Sequence, residues 1–239
     1  MGTGYLDQLK QEAFEVNMGI VRERLVVLTW GNASSFDRAN GIFAIKPSGV
    51  SYSLLKWQDM VLVDLDGDVI NSKLKPSSDT LTHLEIYKGF NTVGGIVHTH
   101  SPWATIWAQA CKSIPVLGTT HSDHFNGDVP CLPYLAKDKV ENAYEKETGI
   151  QIVDFFRNDQ LDPNQMPGCL LSGHASFVWG ESSNKAFENA VALEACAKMA
   201  YHSLNLNGNI EFPDFILTKH YLRKHGDSSY YGQNNSEEK

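Results

Sequence analysis

The run Gly94-Gly95-Ile96-Val97-His98-Thr99-His100 constrains the fold more than any other stretch of the sequence. Its apolar part reads as a buried strand, and Trp103 to Ala110 reads as the helix after it. Along a strand, residues two apart point to the same face, so His98 and His100 emerge side by side. Two neutral imidazoles converging on a point make half of a zinc site. His174 ends another apolar stretch, Leu170-Leu171-Ser172-Gly173-His174. Three histidines at strand ends match the ligand count of a catalytic zinc, which keeps one position open for water or substrate. Spacing alone leaves a second reading open, because His-x-His also arises by chance and single histidines are commonly structural. His83, His121, His124, His202, His220 and His225 are expected to be structural or solvent-facing.

The rest of the chain alternates short strand signals with helical ones. Leu6 to Ile20 reads as an opening helix. Strands are expected at Val26 to Thr29, Ile42 to Ile45 and Met60 to Leu65, the last followed by the hairpin signal Asp66-Gly67-Asp68. A helix is expected from Thr80 to Phe90, with Leu81, Leu84, Tyr87 and Phe90 on one side. A charged helix covers Lys137 to Thr148. Strands near Cys169 to Leu171 and Phe177 to Trp179 precede an Ala-rich helix from Asn184 to Leu204, and Phe215 to Lys224 closes the series. No break in composition divides these elements, so one α/β domain over residues 1–239 is expected, with 233–239 as a frayed tail.

Composition removes several function classes. A net charge of -8 lacks the basic face that general nucleic-acid binding needs. A site for an anion must then be built locally, from a few donors and a metal. The four cysteines form no Cys-x-x-Cys pair, which suits free thiols in a reducing compartment. No stretch has the length of a membrane span. A cytoplasmic protein with no membrane or nucleic-acid partner is expected.

Further strings lie along the chain in a set order: Thr29-Trp30-Gly31-Asn32, Lys46-Pro47-Ser48-Gly49, Pro76-Ser77-Ser78-Asp79-Thr80, the His-x-His strand, Gly118-Thr119-Thr120-His121-Ser122-Asp123, and Lys219-His220-Tyr221-Leu222-Arg223-Lys224-His225-Gly226 with Tyr230-Tyr231-Gly232-Gln233. Together they resemble the bacterial L-ribulose-5-phosphate 4-epimerases of the class II aldolase superfamily. The resemblance implies a three-layer α/β/α fold with a central, largely antiparallel sheet. It also implies a homotetramer with active sites between subunits, and bound zinc, although another divalent ion could serve. His98, His100 and His174 would be the histidine ligands, and Asp79 matches the acidic residue beside the metal. Asp123 and Tyr231 match the acid/base residues that reach in from a neighbouring subunit. Asn32, Lys46, Ser48, Gly49, Ser77 and Ser78 match the phosphate-binding loops. Without the resemblance, Ser77, Ser78 and Asp79 read as helix caps and residues 46–49 as an ordinary turn.

The implied substrate is a phosphorylated pentulose, interconverted between L-ribulose 5-phosphate and D-xylulose 5-phosphate. The hydrogen on C4 is not acidic, because C4 is not next to the carbonyl. Inversion therefore goes through cleavage of the C3–C4 bond, rotation of the aldehyde and re-formation. Two alternatives stand beside this one: a class II sugar-phosphate aldolase, which usually carries Glu where Asp79 stands, and a non-catalytic protein that binds metal or sugar phosphate. Two departures from the family pattern also appear. His124 follows Asp123 where related epimerases usually carry a tyrosine before the Phe, and Ser172 stands where a relative can carry histidine.

Overall fold

A computed structural model describes residues 3–226, 229 and 230. Helix α1 (Thr3–Arg22) leads into β1 (Asn32–Asp37), β2 (Ile42–Ile45), β3 (Val61–Asp64) and β4 (Val69–Ile70). Then come α2 (Thr80–Gly89), β5 (Gly95–Thr99), α3 (Pro102–Gln109), the single turn α4 (Thr119–Ser122) and β6 (Cys131–Leu132). Helix α5 (Lys137–Asn158), β7 (Gly168–Leu171), β8 (Ser176–Gly180), α6 (Ser183–Leu206) and α7 (Asp214–His225) complete the order.

The eight strands form one sheet in the order β4-β3-β2-β1-β5-β8-β7-β6. Every neighbouring pair is antiparallel except β6–β7. Helices α1, α3 and α6 cover one face, while α2 and α5 cover the other. This is the three-layer α/β/α arrangement with a largely antiparallel sheet. On the α2–α5 side, Tyr87 packs on Phe36 and Phe43, and Trp179 lies between Phe90 and Phe156. Helices α2 and α5 meet at a glycine because nothing larger fits: a Cβ on Gly149 would lie 2.8 Å from the Thr82 carbonyl.

The expected strand at Val26 to Thr29 does not form. That segment is a loop in which Leu28 has a φ of +55°, and the first strand starts at Asn32. Strand β1 hides from a hydrophobicity reading because its buried residues include Asn32, Ser34 and Ser35. Each polar side chain finds a partner elsewhere in the fold. Ser34 Oγ lies 2.7 Å from His83 Nδ1 and 2.6 Å from the Tyr87 hydroxyl, and Ser35 Oγ donates to Glu12. The Asn17 amide donates to the Ala33 carbonyl and accepts from its N–H. Satisfied hydrogen bonds remove most of the cost of burying such groups. Helix α2 turns His83 and Ile86 inward and leaves Leu81 exposed, against expectation. Helix α5 runs on past Thr148 to Asn158 and is interrupted at Ala143, with φ −159° and ψ 60°. Among the described residues no helix is long and apolar enough to cross a membrane.

Candidate active site

Strand β5 delivers His98 to the α2–α5 side of the sheet, where its ring stacks on Phe177 with centroids 4.1 Å apart. Its Nδ1 lies 2.9 Å from the Ser176 carbonyl oxygen. A carbonyl can only accept, so Nδ1 carries a hydrogen, and in the neutral ring Nε2 is the ligating nitrogen. His100 follows just beyond the strand end. His174 arrives from the tight β7–β8 turn, where its N–H bonds to the Leu171 carbonyl. Gly173 makes that turn with a φ of +68°. The three rings stand 5.0–5.1 Å apart by centroid, and one nitrogen of each falls within 4.8 Å of the others.

The electrostatics suit ligation. Burial first, and then the neighbouring imidazoles, push His100 and His174 down to about 4. Both rings are therefore neutral at physiological pH, the form a metal binds. The Tyr144 hydroxyl lies 3.4 Å from His174 Nδ1 and supplies that ring with an outer partner. Three converging imidazoles, His100 and His174 held neutral and His98 oriented by the Ser176 carbonyl, are a donor set that fits a divalent ion.

Asp79 stands at the N-terminus of α2 with its Oδ2 3.9 Å from His98 Nε2 and 2.7 Å from Asn32 Nδ2, which donates to it. Burial raises its pKa, but His98, His83 and the Asn32 amide outweigh that and hold the carboxyl below its usual range. Asn32 Oδ1 is buried without a partner.

Two loops meet beside these groups. The Ser77 N–H bonds to the Lys46 carbonyl and the Ser48 N–H to the Lys75 carbonyl, each at 2.9 Å, with Pro47 facing Pro76. Lys46 lies with its ammonium 4.7 Å over the Tyr52 ring, and burial lowers its pKa. Gly49, at φ +68°, leaves open space where a side chain would stand.

One cleft of about 710 Å³ gathers Asn32, Lys46, Ser48, Gly49, Ser77, Ser78, Asp79, His98, His100 and His174. Ten of the twelve site residues expected from sequence are thus in one place. Asp123 is not among its walls. It follows α4 and is gripped from α7: Arg223 Nη2 lies 2.7 Å from Oδ2, Arg223 Nε 3.1 Å from Oδ1, and His220 Nδ1 3.3 Å from Oδ1. Burial pushes the Asp123 carboxyl up, but Arg223 and His220 more than reverse this and leave it low. Tyr231 and the expected tail lie outside the described residues. A second cavity of about 590 Å³, between α7 and the start of α6, holds none of the expected site residues.

The cleft also has walls that the sequence reading did not assign: Trp30, Tyr144 and Glu145. Trp30 lay inside a motif already singled out. Tyr144 and Glu145 carried no signal, because they enter the cleft through the break at Ala143, which neither Gly nor Pro marks.

Comparison with known proteins agrees with this architecture. A structure of L-fuculose 1-phosphate aldolase is 25% identical, with 90% of this chain and 94% of that chain covered and a TM-score of 0.75. YgbL from Escherichia coli, described as a putative aldolase/epimerase/decarboxylase, is 23% identical, with 90% and 98% covered and a TM-score of 0.71. The L-fuculose-1-phosphate aldolase from Thermus thermophilus is 23% identical, with 85% and 98% covered and a TM-score of 0.66. The class II aldolase and adducin N-terminal domain matches residues 11–201, which span the sheet and every cleft residue named above, and the chain belongs to that family.

Proposed function

We propose that the protein is an L-ribulose-5-phosphate 4-epimerase, a single-domain enzyme that interconverts L-ribulose 5-phosphate and D-xylulose 5-phosphate. One observation carries this reading: the imidazole triad with Asp79 and the laced loops of Lys46 and Ser77 share one cleft. A ligand with an oxygen-rich head and a phosphate tail can reach both ends of it.

A divalent ion, zinc in this reading, would be held by His98, His100 and His174 and supplies Lewis acidity. Lys46, with the Ser48, Ser77 and Ser78 hydroxyls and the open backbone at Gly49, holds the phosphate. That tether keeps glycolaldehyde phosphate in place after C3–C4 cleavage, so that it turns its other face instead of escaping. The C4 hydroxyl loses a proton on cleavage and regains one on the opposite face. Asp123, held as a carboxylate by Arg223, accepts a proton, and Tyr231 donates one from the other side. In this reading both come from a neighbouring protomer of a tetramer, and for Asp123 the support is that it is not among the walls of this chain's own cleft.

The choice against a cleaving aldolase rests on Asp79, which stands where such aldolases usually carry the longer Glu and which accepts a hydrogen bond from Asn32. The aldolase reading keeps one support, the likeness to the L-fuculose 1-phosphate aldolase.

Incubation with L-ribulose 5-phosphate, with and without a chelator, separates the readings. Chelator-sensitive formation of D-xylulose 5-phosphate without free aldehyde is expected. Release of glycolaldehyde phosphate and dihydroxyacetone would make the protein an aldolase, and no turnover with zinc present would leave a binding protein.

A further inference from the structure

Behind the turn that carries His174 lie two thiols for which the proposed reaction has no use. Cys111 follows α3 with a φ of +53° and its side chain is exposed; Cys131 opens β6 and is half-buried. The segments that bear them are bonded to each other. Ile114 and Val129 exchange both backbone hydrogen bonds at 3.0 Å, and the Cys131 N–H donates to Ser113 Oγ. Continued from that bridge, the register brings Cys111 opposite Leu132, the neighbour of Cys131. The left-handed backbone at Cys111 breaks the alternation that would otherwise send the two side chains to opposite faces. Both thiols come to one turn: Cys131 Sγ is 3.5 Å from Ser172 Oγ, and Cys111 Sγ is 3.5 Å from the hydroxyl of Tyr134, whose ring covers Gly173.

We propose that Cys111 and Cys131 are a reversible dithiol–disulfide pair, whose closure under a peroxide displaces the Ser172 hydroxyl and disturbs the turn that presents His174.

The chemistry divides between the two sulfurs. Cys111 is exposed and Cys131 half-buried; the Tyr134 hydroxyl beside Cys111 lowers its pKa, whereas burial raises that of Cys131. Cys111 is therefore the more reactive thiolate toward an oxidant. Its sulfur attacks the peroxide O–O bond and becomes a sulfenic acid as hydroxide leaves and takes up a proton. Cys131 sulfur then attacks Cys111 sulfur, the S–O bond breaks, and a second water departs. Two thiols and one hydrogen peroxide give one disulfide and two waters, and a reducing thiol reverses the step.

Mechanical coupling to the turn is direct. The Ala108 carbonyl accepts from both the Cys111 N–H and the Gly173 N–H. Ser172 donates its hydroxyl and its N–H to the Leu132 carbonyl, next to Cys131. The Tyr134 ring, whose hydroxyl lies 3.5 Å from Cys111 Sγ, covers the α-carbon side of Gly173. His174 is the next residue. The thiol chemistry stands without the proposed activity, while the effect on His174 rests on its reading as a metal ligand.

The test uses the full chain loaded with zinc and treated with hydrogen peroxide, followed by peptide mapping without reduction and by zinc retention against a chromogenic chelator. A Cys111–Cys131 linkage within one chain, reversed by dithiothreitol, is expected, with zinc held roughly tenfold less tightly, the scale of an outer-partner loss. The Cys111→Ser and Cys131→Ser variants should keep their zinc and become insensitive to peroxide. Linkage between chains, or overoxidation of Cys111 alone, would overturn the pairing. Formation of the linkage with zinc retention unchanged would overturn the coupling to His174, whatever the activity proves to be.

Discussion

Replacing Gly173 by alanine tests whether the His174 turn is as constrained as its geometry implies. The residue sits at φ +68°, and an added Cβ would fall 2.7 Å from the Tyr134 ring and 2.8 Å from its hydroxyl. Left-handed backbone costs a residue with a Cβ about 1–2 kcal/mol. The Tyr134 side chain is 67% exposed, so the ring can swing into solvent and the steric part adds little. For a chain of this size, 1 kcal/mol moves Tm by roughly 2–4 °C, so Gly173→Ala should lower it by about 2–8 °C. Calorimetry on Gly173→Ala, Tyr134→Ala and the double variant separates the backbone from the ring. The double variant should keep most of the loss, because removing the ring does not relieve the dihedral. An unchanged Tm in Gly173→Ala, or full recovery in the double variant, would refute this account.

Exhaustive chelation should abolish turnover and lower Tm, since an ion bound only by the folded state stabilises it; full activity afterwards would exclude the metal reading. Asp123→Asn and Tyr231→Phe should each cut kcat while zinc content stays whole, and normal kinetics in both would remove their acid/base roles. Lys46→Met should raise KM by roughly 10- to 100-fold, the worth of a charge-assisted bond to phosphate; an unchanged KM would take Lys46 out of the anion site. Because the Asp123 pKa is depressed in the fold, its pairing with Arg223 stabilises the protein fully above about pH 4 and is lost as pH falls through the lowered value. Arg223→Met should therefore flatten the acid side of the stability profile, and an unaltered profile would count against the pairing. Mixed oligomers of His98 and Tyr231 variants should regain activity if the site is shared; no rescue after proven subunit exchange would place it within one chain.

The histidine end of the cleft was legible because strand periodicity acts locally: the alternation of residues 95–99, continued one residue past the strand end, puts His100 beside His98. The loops at 46–49 and 76–79 were singled out through motifs, although their spacing said nothing of the backbone bonds that join them. Strand β1 was not legible. Asn32, Ser34 and Ser35 are buried only because Asp79, His83, Tyr87 and Glu12 meet them from distant parts of the chain. The end of α5 was missed for a similar reason: its last turns are anchored by Ile152, Val153 and Phe156 against the rest of the core. His220 was expected to be structural or solvent-facing, and it lies against Asp123 in a contact that depends on how α7 docks on α4. The same docking brings Arg223 onto the Asp123 carboxylate.

The lacing of the two anion loops has a consequence for selection among ligands. Each loop is fastened to the other by the Ser48 and Ser77 N–H groups, and each carries a proline whose φ is already fixed. The loops are therefore set when the chain folds, and little ordering is left for binding. The distance from loops to imidazoles works as a ruler. Under the proposed function, a sugar phosphate one carbon longer or shorter between its phosphate and its carbonyl is not met by loop movement. It must leave one end of the cleft unfilled.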